Sequence, residues 1–237
     1  MLEDLLKQGF DLLDIQPEAK LLERFRGYYE LLEEKNKVMN LTAISGEDDV
    51  AKLHFLDSLS LLSLSDFNGK SCIDIGSGAG FPGFPIKFVC EDMKLTVIDA
   101  LAKRIGFLNE VAEKTGISAE CIHCRAEELA KKTECRESYD IAVSRAVARL
   151  NVLCELCLPF VKPGGIFYAM KSVDTEEELE EAKAAIKLLG GKTEKVWDYY
   201  IPCTDIPHRV IAIRKTGETP KAYPRRFAKI QKEPLGK

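Results

Sequence analysis

The stretch CIDIGSGAGFPG, Cys72 to Gly83, sets four glycines directly behind a short apolar run. A glycine-rich turn from a strand into a helix lets a ligand approach bare backbone and offers it N–H donors. Two registers fit. Counted from Gly78, GAGFPG has the GxGxxG spacing of a dinucleotide loop. Counted from Asp74, DIGSGAG has the D-x-G-x-G-x-G spacing of S-adenosylmethionine enzymes. The apolar strand ends at Ile75, so Gly76 is the first turn residue; the dinucleotide register would push the strand on through Gly76 and Ser77. Asp74 is an ionisable group inside an apolar strand and needs a partner there, such as loop amides or a cofactor ammonium. Both points favour the second register.

The wider pattern agrees. Residues 1–66 read as helices, with apolar positions at helical spacing in LEDLLKQGFDLL and in the long PEAKLLERFRGYYELLEEKNKVM. Beyond DFNGK, strands and helices alternate. Strands are expected at 71–76, 94–100, 119–124, 139–146 and 166–172. The helix after the fourth strand is expected to run over 148–165 and to end at Pro163-Gly164-Gly165. Apolar strands separated by helices imply a parallel sheet covered on both faces. Two final strands, 192–202 and 209–215, have no helix between them, so the last is expected to be antiparallel, where a dinucleotide fold would continue βαβ. The expected fold is α/β: a Rossmann-like class I S-adenosylmethionine methyltransferase fold with a seven-stranded, mostly parallel sheet, an antiparallel last strand and an N-terminal helical extension. The divisions are 1–66, the extension packed on the core; 67–215, the cofactor-binding domain; and 216–237, a basic tail.

On this layout the cofactor-binding candidates are Asp74, Gly76, Ser77, Gly78, Gly80 and Phe81 at the loop, and Asp99 with Ala100 at the end of the second strand. A carboxylate at Asp99 can accept hydrogen bonds from both ribose hydroxyls. Ala126 and Glu127 follow the third strand, where an adenine would lie, although by itself an acidic first helical turn is the preferred explanation. Arg145 and Arg149 flank the exit of the fourth strand, the edge where ligands bind in such sheets. They are positioning candidates for a carboxylate or a phosphate, with Lys171 and Arg209 as weaker ones. His54, Asp57 and Ser58 share one helix face at i, i+3 and i+4, suited either to closing the mouth of the site or to a structural triplet.

Composition sets the class. The chain has 237 residues, 46% hydrophobic and 30% charged, which suits a globular protein with a real core. No apolar run approaches the roughly 20 residues that span a bilayer, and the acidic N-terminus is unlike a targeting peptide; a cytoplasmic, monomeric protein is expected. The net charge of −4 conceals a segment from Arg214 to Lys237 with eight Lys/Arg against two acids. Such a tail can neutralise phosphates, or simply be solvated. Eight cysteines without an export signal suggest free thiols. Two CxxC pairs, Cys121/Cys124 and Cys154/Cys157, have zinc spacing, but they fall in strand-like and apolar helical segments, so no metal is expected.

Several short motifs occur in order: NLTA (Asn40–Ala43), HFLDS (His54–Ser58), DIGSGAGFPG, VIDALAKR, RAEE, SRAVARL (Ser144–Leu150), YAMKS and AYPRR. Together they resemble the RsmG/GidB family of small-subunit ribosomal RNA guanine-N7 methyltransferases, over nearly the whole chain. The resemblance implies S-adenosyl-L-methionine as cofactor, a guanine of 16S rRNA in the small ribosomal subunit as substrate, and cofactor contacts at Gly76, Phe81, Ala126, Glu127 and Arg145. Lys171 is present, followed by Ser172 where many members carry Gly. Guanine N7 has a lone pair and no proton to lose, so no general base is needed and none is expected. The marks of other RNA methylations are missing: Pro202-Cys203 lies after the sixth strand, too late for a C5-type nucleophile, and SRAVARL stands where exocyclic-amine enzymes carry an Asn/Asp-Pro-Pro-aromatic loop. The competing expectations are a nicotinamide-linked oxidoreductase using the overlapping GxGxxG, and a non-catalytic RNA-binding protein.

Overall fold

The computed structural model describes residues 1–145 and 148–236. Ala146 and Val147 of the SRAVARL motif and Lys237 of the basic tail lie outside the described residues. The strands are β1 (Ser71–Ile75), β2 (Lys94–Asp99), β3 (Ala119–His123), β4 (Tyr139–Arg145), β5 (Val161–Ser172), β6 (Gly191–Tyr200) and β7 (Pro207–Lys215). They form one sheet in the order β3-β2-β1-β4-β5-β7-β6. β1 to β5 pair in parallel, while β7 is inserted between β5 and β6 and runs antiparallel to both. The expected mixed sheet with its reversed last strand is therefore present.

Alternation along each strand sends side chains to opposite faces. Ile73, Ile75, Phe167, Ala169, Ile211 and Ile213 pack on one face against the helices α8 (Leu150–Cys157) and α9 (Glu176–Leu188). Cys72, Tyr168, Met170, Val210 and Ala212 join the other cluster, with the N-terminal helices, α5 (Gly83–Val89) and α6 (Ala102–Thr115). Asp74 falls on this second face and is fully buried.

The N-terminal helices are built into that face. α1 (Leu2–Leu12) and α2 (Ala19–Met39) bury Leu6, Phe10, Phe25, Tyr28 and Leu32 completely. Arg24 of α2 is also buried, donating from Nε to the Thr115 carbonyl at 3.2 Å and from Nη1 to Glu91 at 2.8 Å. Tyr28 donates its hydroxyl proton to the Ala79 carbonyl, inside the glycine loop. A helix outside the alternating sheet thus holds the loop from behind.

Two local expectations change. The segment in which His54, Asp57 and Ser58 are expected to share one regular helix face is α3 (Glu47–Asp49), a π-helix (Val50–Leu56), α4 (Asp57–Leu59) and a 3₁₀ turn (Ser60–Ser63) in unbroken succession. The wider π turn, a rare form that is frequent at functional sites, carries His54. The helix expected to last until Gly165 stops at Cys157 and passes through a 3₁₀ turn into β5, which already begins at Val161. Pro159 cannot donate a helical hydrogen bond, and Pro163 to Gly165 are accommodated by an irregularity in the β4–β5 register between Tyr139 and Ile141.

Gly80 tests this packing. Its φ is +101°, and a Cβ there would overlap the Tyr28 hydroxyl and come within 2.8 Å of Leu108 Cδ2. Gly80→Ala is expected to cost about 2 kcal/mol, a fall in melting temperature of about 4–8 °C. An unchanged melting curve would show that α2 does not clamp the loop.

Candidate functional site

Between the C-terminal ends of β1 and β2 lies an open cleft of about 490 Å³. It sits where strand order reverses around β1 and β4, the position at which doubly wound sheets bind ligands. Its walls include Thr42, His54, Gly76, Ser77, Gly78, Phe81, Asp99, Ala100, Arg104 and Arg145.

The floor is main chain. Gly76 and Ser77 donate their N–H groups to the Ile98 carbonyl at 2.9 and 3.1 Å, which fixes the loop onto β2. Gly78 has φ +62°, and an added Cβ would meet nothing closer than the Gly76 carbonyl oxygen at 3.9 Å. Asp74 lies below the loop. Its Oδ2 accepts from Ser77 Oγ and the Gly83 N–H, each at 2.9 Å. Its Oδ1 is buried with no hydrogen-bond partner among the described residues. Burial, only partly offset by those two donors, pushes the carboxyl up to about 6.

Asp99 forms the second wall. Its Oδ1 accepts the Leu101 N–H at 2.8 Å, and its Oδ2 accepts the Gly78 N–H and Arg104 Nη1, both at 3.1 Å. The carboxylate therefore ties the loop to the start of α6. Each carboxylate oxygen can accept two hydrogen bonds, and Oδ1 has one in use.

The third wall is a chain of paired groups around Arg145. Arg145 Nη1 donates to the Leu53 carbonyl at 2.9 Å and to Asp57 Oδ2 at 2.8 Å, and Nη2 bonds His54 Nδ1 at 2.7 Å. A guanidinium can only donate, so Nδ1 is the acceptor and the ring proton sits on Nε2, which donates to Thr42 Oγ1 at 2.8 Å. Burial, and then the Arg145 charge, push the His54 imidazole down to about 3. It is neutral, and both of its nitrogens are engaged. The ring stacks on Phe81 at 4.2 Å, and Arg145 lies over the same phenyl at 5.1 Å. Asp57 is fully buried and also accepts from Tyr199 and His208, at 2.6 and 2.9 Å. Burial alone would push its carboxyl up; the His208 and Tyr199 hydrogen bonds and the Arg145 charge outweigh this and hold it below the usual range.

The structure thus brings Gly76, Ser77, Gly78, Phe81, Asp99, Ala100, His54 and Arg145 to one cleft. Asp74 and Gly80 lie behind the loop, where they shape it. Asp57 is a buried counter-ion, and Ser58 donates to the His54 carbonyl, so of the helical triplet only His54 faces the cleft. Ala126 and Glu127 open α7 (Ala126–Leu129), beyond Cys124, whose N–H donates to the Asp99 carbonyl at 3.2 Å. Arg149 pairs with Glu181, Lys171 with Glu178 and the Ala148 carbonyl, and Arg209 with Asp198 and Glu176. None of these three cations lines the cleft. Sequence reasoning gave no role to Thr42, Arg104, Tyr199 or His208. Arg104 carried a signal, being a cation in the first turns of the helix that follows a strand-end acid. Among the described residues, no group of three or more His, Cys, Asp or Glu is placed to hold a metal, and no helix is long and apolar enough to cross a membrane.

Two buried groups give opposite pH dependence. His54 takes a proton near pH 3 when folded and near 6.5 when unfolded, so stability falls as pH drops below about 6.5, by up to about 1.4 kcal/mol per unit. Asp74 protonates near 6 when folded and 3.8 when unfolded, so its ionisation opposes folding and stability rises as pH falls from about 6 to about 4. Relative to the parent, His54→Gln should gain stability on acidification across that window, and Asp74→Asn should lose it. Denaturant titrations at three pH values between about 4.5 and 6.5 check this; parallel profiles for the two variants would refute it.

Known proteins place this geometry. The family model for rRNA small subunit methyltransferase G, GidB, matches residues 21–204. The ribosomal RNA small subunit methyltransferase G of Clostridium botulinum (strain Loch Maree / Type A3) is 47% identical, covering 91% of each chain. That of Lachnoclostridium phytofermentans is 48% identical over 96% of this chain and 95% of its own. Among solved structures, a SAM dependent methyltransferase from Aquifex aeolicus superposes with a TM-score of 0.52 at 18% identity, covering 70% of this chain and 94% of that one, a likeness of fold. With the glycine loop, the strand-end acid and the mixed seven-stranded sheet in place, the chain belongs to the rRNA small subunit methyltransferase G (GidB) family.

Proposed function

We propose that the protein transfers a methyl group from S-adenosylmethionine to N7 of a guanine in 16S rRNA of the small ribosomal subunit. The observation that carries this reading is a cleft floored by bare glycine backbone and walled by Asp99, whose one histidine is neutral with both nitrogens engaged. Such a site can position and polarise, and it holds no poised base.

The residues fit the cofactor. The cleft has the size of a small-molecule site, Gly78 leaves its approach open, and Asp74 Oδ1 is a buried acceptor without a donor. In this reading Asp99 takes the ribose hydroxyls, the 76–81 loop lies along the methionine part above Asp74, Ala126 and Glu127 take the purine, and Arg145 is the cation of the cleft. When bound, the cofactor would supply an electrophilic methyl on a sulfonium; the guanine N7 lone pair would accept it and the sulfur would leave as a neutral thioether, with no proton released. What remains for this chain is alignment at about 3–3.5 Å and exclusion of water. Phe81, fixed between His54, Arg145 and Tyr28, gives a rigid apolar wall for that purpose. The same reading treats 1–66 as a supporting extension and 67–215 as the catalytic domain, and places the protein in the cytoplasm as a monomer.

Labelled cofactor incubated with undermethylated 30S subunits should deliver label to 16S rRNA as N7-methylguanosine. Binding of cofactor with no transfer to rRNA would overturn the substrate, and binding of NAD in its place would overturn the register. Gly78→Asp is a clean companion: Asp tolerates a left-handed backbone, so the chain should fold, while a second carboxylate beside Asp99 fills the cleft. Cofactor binding by calorimetry should fall below detection with the melting temperature within a few degrees of the parent.

A further inference from the structure

The basic C-terminal segment is latched onto the protein. β7 runs antiparallel to β5, so it ends at Lys215 on the sheet edge opposite the cleft. From there Lys215 Nζ donates to Thr219 Oγ1 at 2.8 Å and to Glu137 at 2.7 Å, and Arg136 donates to the carbonyls of Thr219 and Tyr223 at 2.7 and 2.9 Å. Next, Arg225 closes on Glu155 of α8. Its backbone N–H and Nε donate to Oε1 at 2.8 and 2.9 Å, and Nη2 donates to Oε2 at 2.7 Å. Glu155 is wholly buried, and so is Ile230 of α10 (Phe227–Lys232). At Phe227, over which the Arg125 guanidinium lies at 5.3 Å, the segment has crossed to the carboxyl edge of the sheet just beyond β3, the edge on which the cleft opens. Arg125 directly follows Cys124, the residue hydrogen-bonded to the Asp99 carbonyl.

This route carries cations to the rim. Arg125, Arg226, Lys229 and Lys232 are exposed, and among the described residues none has an ion-pair partner. The acids close by in the sequence are Glu127, which is buried, and Glu128 and Glu233, which are exposed. The basic character is local, because the whole chain carries a net −4. A solvated tail would need no buried ion pair, whose desolvation is costly; the Arg225–Glu155 pair gives the segment one fixed course. Fixed cations lose less freedom on meeting a polyanion than cations on a free tail.

We propose that residues 216–236 are a strap that holds Arg125, Arg226, Lys229 and Lys232 as a preformed docking face for RNA backbone phosphates beside the target guanine. This rests on the function proposed above. Arg226→Gln/Lys229→Gln/Lys232→Gln in the full chain removes three exposed charges. Its affinity for 16S rRNA should fall about tenfold or more, and the slope of log K against log salt should shrink by about 2, at about 0.7 per phosphate contact. Cofactor affinity and melting temperature should match the parent. A parent-like slope and affinity would overturn the docking face. The double variant Arg225→Gln/Glu155→Gln keeps all four cations, leaves no buried charge unpaired and frees the strap. It should lose affinity while its salt slope stays near the parent's, since the cations remain to meet phosphates, and a parent-like affinity here would overturn the role of the latch. The underlying function is judged separately, on whether the parent protein methylates rRNA at all.

Discussion

The ion pair between Arg145 and Asp57 is the joint on which the rest of the site turns. Arg145 closes β4, Asp57 belongs to the helical rod before the sheet, and Tyr199 and His208, which also hold Asp57, come from the terminal hairpin. Three distant parts of the sequence thus meet at one buried carboxylate. The guanidinium fixes the tautomer of His54, and ring and guanidinium together lie on Phe81 of the glycine loop. One cation therefore sets the position of the loop's aromatic end.

Burying such a pair is expensive, and apolar replacements of equal volume are often as stable. What it supplies here is placement. An apolar contact would bring the same elements together without fixing rotation, whereas bonds at 2.7–2.9 Å from one planar group to a carboxylate, a carbonyl and an imidazole fix it. Methyl transfer to a lone pair that carries no proton depends on alignment more than on acid–base chemistry. A neutral, fully engaged histidine beside a rigid phenyl ring suits that demand better than a titrating one would.

Much of this was legible in the sequence because it is local. Apolar runs of strand length, a glycine turn and a strand-end acid are each decided within a few residues, and the reversed last strand followed from a missing helix. Local rules also misled at identifiable places. A helix read through to Gly165 ended at Cys157, because Pro159 and the pairing of Val161 with Tyr139 outweighed helical periodicity. Arg149 and Lys171, apt by their strand-exit positions, were claimed by acids of α9. A basic C-terminus read as a tail proved to be anchored by Glu155, a residue 70 positions earlier.

Residue type at fixed short spacing is enough to settle the sheet, the loop, the acid that faces it and the family. Tertiary structure alone decided which charged groups reach the cleft and which neutralise one another. Arg145, Arg149 and Lys171 are alike on paper; pairing with Asp57 at the cleft, against pairing with Glu181 or Glu178 of α9 away from it, tells them apart. Electrostatic partnership depends on distance and desolvation across the fold, and neither can be read from positions along a chain.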